Sequence, residues 1–288
     1  MKRLAIGMIL LQSVVYGILD PFSKLAYQVM PIYSFLAARY LLATLFMFAF
    51  WGKKIRDELC RVSWRHYIIP CLCMSVAFIV SNTGLKYTSV ANVAFIRSLT
   101  ALVAPLLLCV FFHKKFGART LLVLVGVAVG LYFLCVENGL GQVGRGEVYA
   151  FISTVLVAAA LVFGADSLHY ISAITLSCIQ SFGSIWVCLL AGFANDALAS
   201  TDWNLLRRPD IGGTLVYAAL ACTVGGYLLQ NVALEYISAK LVGILQCTYP
   251  IVTAVVAYVV LGEMLSPLGM LGAALILLCV IIESLGRE

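Results

Sequence analysis

The chain reads as ten long apolar runs separated by short polar stretches. The runs cover roughly 4–27, 31–51, 66–86, 89–112, 118–135, 146–165, 171–193, 212–233, 238–261 and 266–284. A helix needs about 20 apolar residues to cross hydrocarbon. The runs are too long for strands and lack the apolar–polar alternation of a membrane barrel. In lipid a spanning segment must satisfy its own backbone hydrogen bonds, so the pattern predicts helices. The expected fold is an all-α membrane protein with ten transmembrane helices.

Composition points the same way. Of 288 residues, 63% are hydrophobic and 11% charged, against about 25% charged in an average soluble domain. Mean hydropathy is +1.04. These values exclude a cytosolic enzyme, a secreted disulfide scaffold and a disordered chain, and the connections leave no room for a separate soluble domain. The 10 cysteines contain no C-x-x-C. Cys71 and Cys73 lie in an apolar run, and Cys109, Cys135, Cys178, Cys188, Cys222, Cys247 and Cys279 stand alone mid-span, where Cys acts as a small apolar filler. His66, His113 and His169 fall near helix ends without pairing. No metal, cofactor or catalytic set is expected. Met1-Lys2-Arg3 before an apolar run imitates a signal peptide, but no small-x-small cleavage pattern follows, so a retained first helix is expected.

The net charge is +6. With a cytoplasmic N-terminus, twelve Lys and Arg fall on the inside and four on the outside, while Lys24, Arg39 and Arg97 remain within spans. Both termini are therefore expected in the cytoplasm, with the protein in the cell membrane. The cations act as topology determinants beside anionic lipid and not as a nucleic-acid footprint. Gly139-Leu140-Gly141-Gln142-Val143-Gly144 matches G-x-G-x-x-G but joins two spans and lacks the surrounding βαβ unit, so it reads as a flexible linker. The other long outer loop, 194–211, carries Asp196, Asp202, Trp203, Arg207, Arg208 and Asp210 and reads as an interfacial segment anchored by Trp203.

Displacing the chain by 149 residues lays the third and fourth spans on the eighth and ninth. Asn82, Leu85, Tyr87 and Ser89 meet Asn231, Leu234, Tyr236 and Ser238, and three valines also coincide. The recurrence of N-x-x-L-x-Y-x-S implies two five-helix halves, 4–135 and 146–284, joined by a linker at 136–145. Five is odd, so the second half enters from the opposite side. Two inverted repeats about an axis in the membrane plane are expected, the plan of many secondary transporters, with the substrate near the midplane.

On these residues the chain resembles the drug/metabolite transporter superfamily in its ten-helix EamA-type branch. The carrying features are the duplicated unit, Tyr16-Gly17, Ala38-Arg39-Tyr40-Leu41, the Leu85-Lys86-Tyr87-Thr88-Ser89 and Leu234-Glu235-Tyr236-Ile237-Ser238 junctions, and the proline followed by Leu261-Gly262-Glu263. The resemblance covers nearly the whole chain. It implies a permease, in most relatives an exporter of amino acids and other small metabolites driven by proton exchange or the substrate gradient. Two features depart from the pattern. Lys114 stands where its repeat mate is Glu263, and Pro105 lies one turn beyond the position matching Pro250.

A charge at a helix centre costs about 2.5–3.5 kcal/mol on insertion scales, so Asp20, Lys24, Arg39 and Arg97 are functional candidates. Arg97 maps onto Gln246 at the same displacement, and Arg39 onto Gln180 once loop lengths are allowed for. Asp20 and Lys24 share a helix face. The expected substrate cavity holds Tyr16, Asp20, Lys24, Arg39, Arg97, Gln180, Gln246 and Tyr249. Pro21, Pro105 and Pro250 are candidate hinges, with a kink or unwound turn beside Asp20. Ala101 and Ala104, on the face of Arg97, leave volume for a ligand. Asp20 can form a structural ion pair with Arg39 or with Arg97; Arg39 reads as structural and Arg97 as a substrate contact. Tyr16 and Tyr249 double as packing residues. Asn82 and Asn231 read as helix-end hydrogen bonders, and Gly126 and Gly130 as a close-packing G-x-x-x-G.

Three cations against one carboxylate favour a small substrate with an anionic group, which guanidinium holds in two-pronged geometry. Asp20 is the proton-coupling candidate. The expected partners are that substrate and the bilayer, and a monomer suffices. The alternatives are a lipid-intermediate flippase of the same superfamily and a membrane-embedded enzyme. The latter lacks H-E-x-x-H, G-x-S-x-G and a second intramembrane carboxylate.

Overall fold

The computed structural model describes residues 1–113, 117–136, 144–195, 198–262 and 267–284. Lys114, Glu263, Asp196, the C-terminal residues and most of the G-x-G-x-x-G segment and the 136–145 linker lie outside the described residues.

Ten helical rods follow one another. The first three are α1 (Lys2–Val29), α2 (Ile32–Arg61) and α3 (Ile68–Leu85). The fourth is α4 (Val90–Ser98) continued by α5 (Thr100–Phe112). Then come α6 (Ala118–Val136), α7 (Arg145–Ser167) and α8 (Ala173–Ala194). The eighth rod is α9 (Pro209–Val216), a π-helical stretch Tyr217–Gly225, and α10 (Gly226–Leu234). The ninth is α11 (Ala239–Leu245), a 3-10 turn Gln246–Thr248, and α12 (Tyr249–Leu261). The tenth is α13 (Pro267–Ser284). Eight rods are long and apolar enough to cross a membrane among the described residues, and α6 and α13 have 19 and 18 residues.

The bundle is apolar on its outer face, and its apolar core encloses a set of polar side chains. Leu41, Leu45, Leu121, Leu122, Leu190, Phe193 and Val259 point outward. Gln12, Asp20, Arg39, Ser177, Gln180, Thr223, Gln230 and Asn231 are buried. Apolar side chains on the outer face suit a protein whose solvent is acyl chain.

Helix packing is selective. α2 lies on α8, α6 on α13, α4 on α12 and α5 on α11. α3 lies on α7 and α1 on α10, while α1 also packs on α12 and α7 on α4 and α5. Small residues permit the close approaches. A Cβ at Gly17 would lie 2.7 Å from the Val252 Cβ, and one at Gly126 would lie 2.5 Å from the Cys279 sulfur. Gly126 thus serves the close packing expected of it, between α6 and α13.

Three sequence expectations need correction. α2 runs ten residues past its apolar run, because Lys53, Lys54, Arg56, Asp57 and Glu58 are competent helix formers with a Lys54–Glu58 pair at 3.9 Å. Glu58 then accepts hydrogen bonds from the Ser172 N–H and hydroxyl, both at 2.9 Å, at the N-terminus of α8. Around Pro21 no turn unwinds: α1 is helical throughout. Pro105 also sits inside a continuous helix, and only Pro250 stands at a break, in the first turn of α12. Asn231 sits in the last turn of α10 but does not bond the helix end: it donates to Ser177 at 2.8 Å and Gln180 at 3.0 Å on α8.

Candidate functional site

The fourth and ninth rods lose α-helical bonding at the same place in their repeats. α4 gives way at Leu99, where the Leu99 N–H bonds Ile96 and the Leu102 N–H bonds Leu99, both three-residue spacings. The ninth rod tightens into its 3-10 turn at Gln246–Thr248. Arg97 and Gln246, the pair matched by the sequence repeat, stand at these breaks and face the same space.

That space is a small cavity lined by Gln12, Tyr16, Phe78, Arg97, Gln230, Gln246 and Tyr249, among others, and holding about 30 Å³. This is room for a few water molecules. Two polar groupings border it. In the first, the Tyr249 hydroxyl donates to Asp20 Oδ2. Arg97 Nη1 donates to the same hydroxyl at 3.2 Å and lies 4.0 Å from the carboxylate. The Arg97 guanidinium is also sandwiched by the rings of Phe78 and Tyr249, 5.1 and 5.0 Å from their centroids. Asp20 is 7% exposed, and it reaches the cavity through Tyr249 and Arg97. An isolated carboxylate is costly in a dry interior, and the cation and hydroxyl offset that cost.

The second grouping is a triad of amides. Gln12 donates to Gln230 at 3.1 Å and to the Gly226 carbonyl at 3.1 Å. Gln246 donates to Gln12 at 3.1 Å and to Gln230 at 3.0 Å. Gln12 and Gln230 are absent from the sequence-based candidates. The signal for Gln12 was present, since it precedes Tyr16 by four and Asp20 by eight residues and shares their helix face. Gln230 lies 218 residues from Gln12, and nothing along the chain announces that they meet.

Of the eight expected cavity residues, Tyr16, Arg97, Gln246 and Tyr249 line it, and Asp20 stands immediately behind. The other three lie elsewhere. Lys24 reaches along α1 and donates to the Thr88 carbonyl at 3.4 Å, beside the Thr88–Glu147 hydrogen bond. Its long stem carries the ammonium toward the α3–α4 junction. Gln180 is fully buried on α8 among Ser75, Ser177 and Asn231. Arg39 turns toward the π-helical stretch, where its Nε donates to Thr223 Oγ1 at 2.8 Å. Of the two ion pairs open to Asp20, with Arg39 or with Arg97, the structure has the one with Arg97. Ala101 and Ala104 do not open volume for a ligand either. Both are fully buried, and Gly243 of α11 fits against Ala101. Their small side chains admit a neighbouring helix.

Asp20–Tyr249, Arg97–Tyr249, Gln12–Gln230, Gln12–Gln246 and Arg39–Thr223 each join a residue before 136 to one after 144. The polar core is where the two halves of the chain hold each other.

Those two halves are also where the chain is similar to known proteins. Residues 3–136 and 144–285 each match the EamA-like transporter family. An uncharacterized transporter of Archaeoglobus fulgidus is 24% identical over 280 residues, covering 96% of this chain and 84% of that protein. A solved structure described as "Crystal structure of protein" superposes with a TM-score of 0.75 at 13% identity, over 96% of this chain and 95% of the other, a likeness of fold.

Proposed function

The chain belongs to the EamA-like transporter family of the drug/metabolite transporter superfamily, and from that premise we propose a secondary carrier that exports small anionic metabolites, amino acids or organic acids, by alternating access. As a member of that family it is a multi-pass membrane transporter and not an enzyme.

The single observation that carries the proposal is the Asp20–Tyr249–Arg97 cluster beside the cavity. It sets a carboxylate and a guanidinium mid-bundle, bridged across the two halves by one hydroxyl. A substrate with a negative group competes with Asp20 for Arg97. Protonation of Asp20 weakens its hold on Arg97, which links proton and substrate binding at one place. The cavity as it stands accommodates no metabolite, so binding requires the halves to part. The breaks at Leu99 and Gln246–Thr248 are where the fourth and ninth rods can bend.

Division into halves 4–135 and 146–284, oppositely oriented, is part of the same proposal. It is supported by the packing pattern. Exchanging the halves converts α3 on α7 into α10 on α1, converts α1 on α12 into α7 on α5, and leaves α2 on α8 and α6 on α13 unchanged. A two-fold relation produces this symmetry, and five rods per half require the axis to lie in the membrane plane. The cation bias puts both termini in the cytoplasm.

The test is flux in reconstituted vesicles with labelled amino acids and organic acids, with and without a proton gradient. Counterflow of at least one panel member above protein-free vesicles is expected. No flux of any member in either condition rejects the proposal.

A further inference from the structure

Arg39 is 1% exposed, and its charge has no carboxylate within ion-pair distance among the described residues. The nearest intramembrane acid, Asp20, is engaged by Arg97 and Tyr249. Of the Arg39 nitrogens, Nε is held by Thr223, while Nη2 is buried with no hydrogen-bond partner. The hydroxyls of Tyr16, Tyr40 and Tyr227 are likewise buried without partners of acceptable geometry. These residues belong to one core cluster. The Arg39 guanidinium lies 5.3 Å from the Tyr40 ring, and the Tyr16 and Tyr227 rings each lie 5.7 Å from Phe78. Tyr16 also lines the central cavity, so the cluster adjoins it.

A buried cation with one partnerless arm is among the costliest arrangements in a membrane interior, and three unsatisfied hydroxyls beside it add to the cost. Each of these groups can donate a hydrogen bond, and together they surround one positive charge. An oxyanion answers all of them at once: it neutralises the charge, spans two guanidinium nitrogens and accepts from the phenols. We propose that Arg39 with Tyr16, Tyr40 and Tyr227 forms an anion subsite beside the cavity that takes a carboxylate group. Arg97, balanced by Asp20, links the coupling acid to the cargo, and Arg39 is a second residue that holds the charge of the cargo. The inference rests on the carrier reading and gives Arg39 a ligand-holding role where the sequence suggests a structural one.

The π-helical turn fits this use. Its wide register lets the Thr223 hydroxyl donate to the Ala218 carbonyl five residues back, at 2.9 Å, while accepting from Arg39. Thr223 therefore pins one edge of the guanidinium and leaves Nη2 for a ligand. π-bulges concentrate at functional sites for this kind of side-chain placement.

The experiment is thermal unfolding of the purified full-length protein in detergent, titrated with sodium acetate, sodium chloride or sodium phosphate at fixed ionic strength. Acetate is expected to raise Tm saturably and more than chloride does. The rise should be lost in Arg39→Gln and kept in Arg65→Gln, which changes an exposed arginine outside the bundle core. Tyr40→Phe and Tyr227→Phe keep the shape and remove one donor each, and are expected to raise the acetate midpoint roughly tenfold. Equal, Arg39-dependent responses to acetate, chloride and phosphate show an unselective anion site and overturn the carboxylate assignment. An absent response in the wild type, an unchanged response in Arg39→Gln, or unchanged midpoints in both tyrosine variants overturns the proposal. In vesicles, Arg39→Gln should raise the half-saturating substrate concentration roughly 30-fold or more. Unchanged half-saturation there rejects the subsite and leaves the carrier reading standing. Wild-type vesicles that move no labelled compound reject the carrier reading and leave the acetate result untouched.

Discussion

Cys247 lies against Ser98: its sulfur is 3.6 Å from the Ser98 carbonyl oxygen and 3.7 Å from that of Gly243. The two residues are 149 apart, the displacement that superposes the halves, so each touches its own counterpart. Under the proposed two-fold relation of the halves, counterparts meet only where the axis passes. The same displacement carries Val90–Phe112 onto Ala239–Leu261 end for end. Cys247 is fully buried at this crossing. Cys247→Leu should overpack it and cost about 1–3 kcal/mol, while Cys247→Ala should cost less. Thermal unfolding of the purified variants reads the order, and equal stability of Cys247→Leu and wild type contradicts it.

Asp20 is the carboxylate in contact with Arg97. Asp20→Asn should abolish flux driven by a pH gradient while counterflow exchange continues, because exchange needs no net proton movement. Driven flux at the wild-type rate in this variant would falsify the coupling role.

Breaking the Asp20–Arg97 pair from one side leaves the other charge buried. Arg97→Ala should therefore lower stability by about 3–5 kcal/mol, and should also lose any substrate-dependent rise in Tm. Adding Asp20→Asn to Arg97→Ala removes the orphaned charge and should recover part of the loss. A double variant as unstable as the sum of its singles shows that the two residues do not interact.

Gly17 brings α1 onto α12. A Cβ there meets Val252 at 2.7 Å and the Thr253 backbone nitrogen at 3.1 Å, which a side-chain rotation cannot relieve. Gly17→Ala should cost about 1–3 kcal/mol and weaken transport. Val252→Ala removes Cγ1, one of the two Val252 atoms at 2.7 Å, and should rescue part of the stability. Failure of that rescue, with Val252→Ala itself well folded, places the strain elsewhere.

Cys60 is exposed near the end of α2, beyond the apolar run. With a cytoplasmic N-terminus, α1 crosses outward and α2 returns, so Cys60 lies inside. A variant retaining only this cysteine should react with a membrane-impermeant maleimide in inside-out vesicles and stay unlabelled in right-side-out vesicles. The reverse result inverts the topology.

Hydropathy alone determined the ten rods, because hydrocarbon leaves an apolar segment of 20 residues no stable form but a helix. The repeat, too, was written along the chain, and it placed Arg97 opposite Gln246 before any coordinates. The boundary of α2 was not legible, since the charged residues after 51 continue a helix as readily as they end a span. Helical spacing says which residues of one rod share a face and says nothing about which rod that face meets. Arg39, Arg97 and Lys24 were therefore equal claimants to Asp20. Tertiary packing assigned Arg97 to the acid, Arg39 to Thr223, and Lys24 to the Thr88 carbonyl. It also drew Gln12 and Gln230 together and withdrew Gln180 to the α8–α10 contact. The side chains that must neutralise a buried charge are chosen by the rotation of each helix in the bundle, and that rotation is set by contacts more than 100 residues apart in the chain.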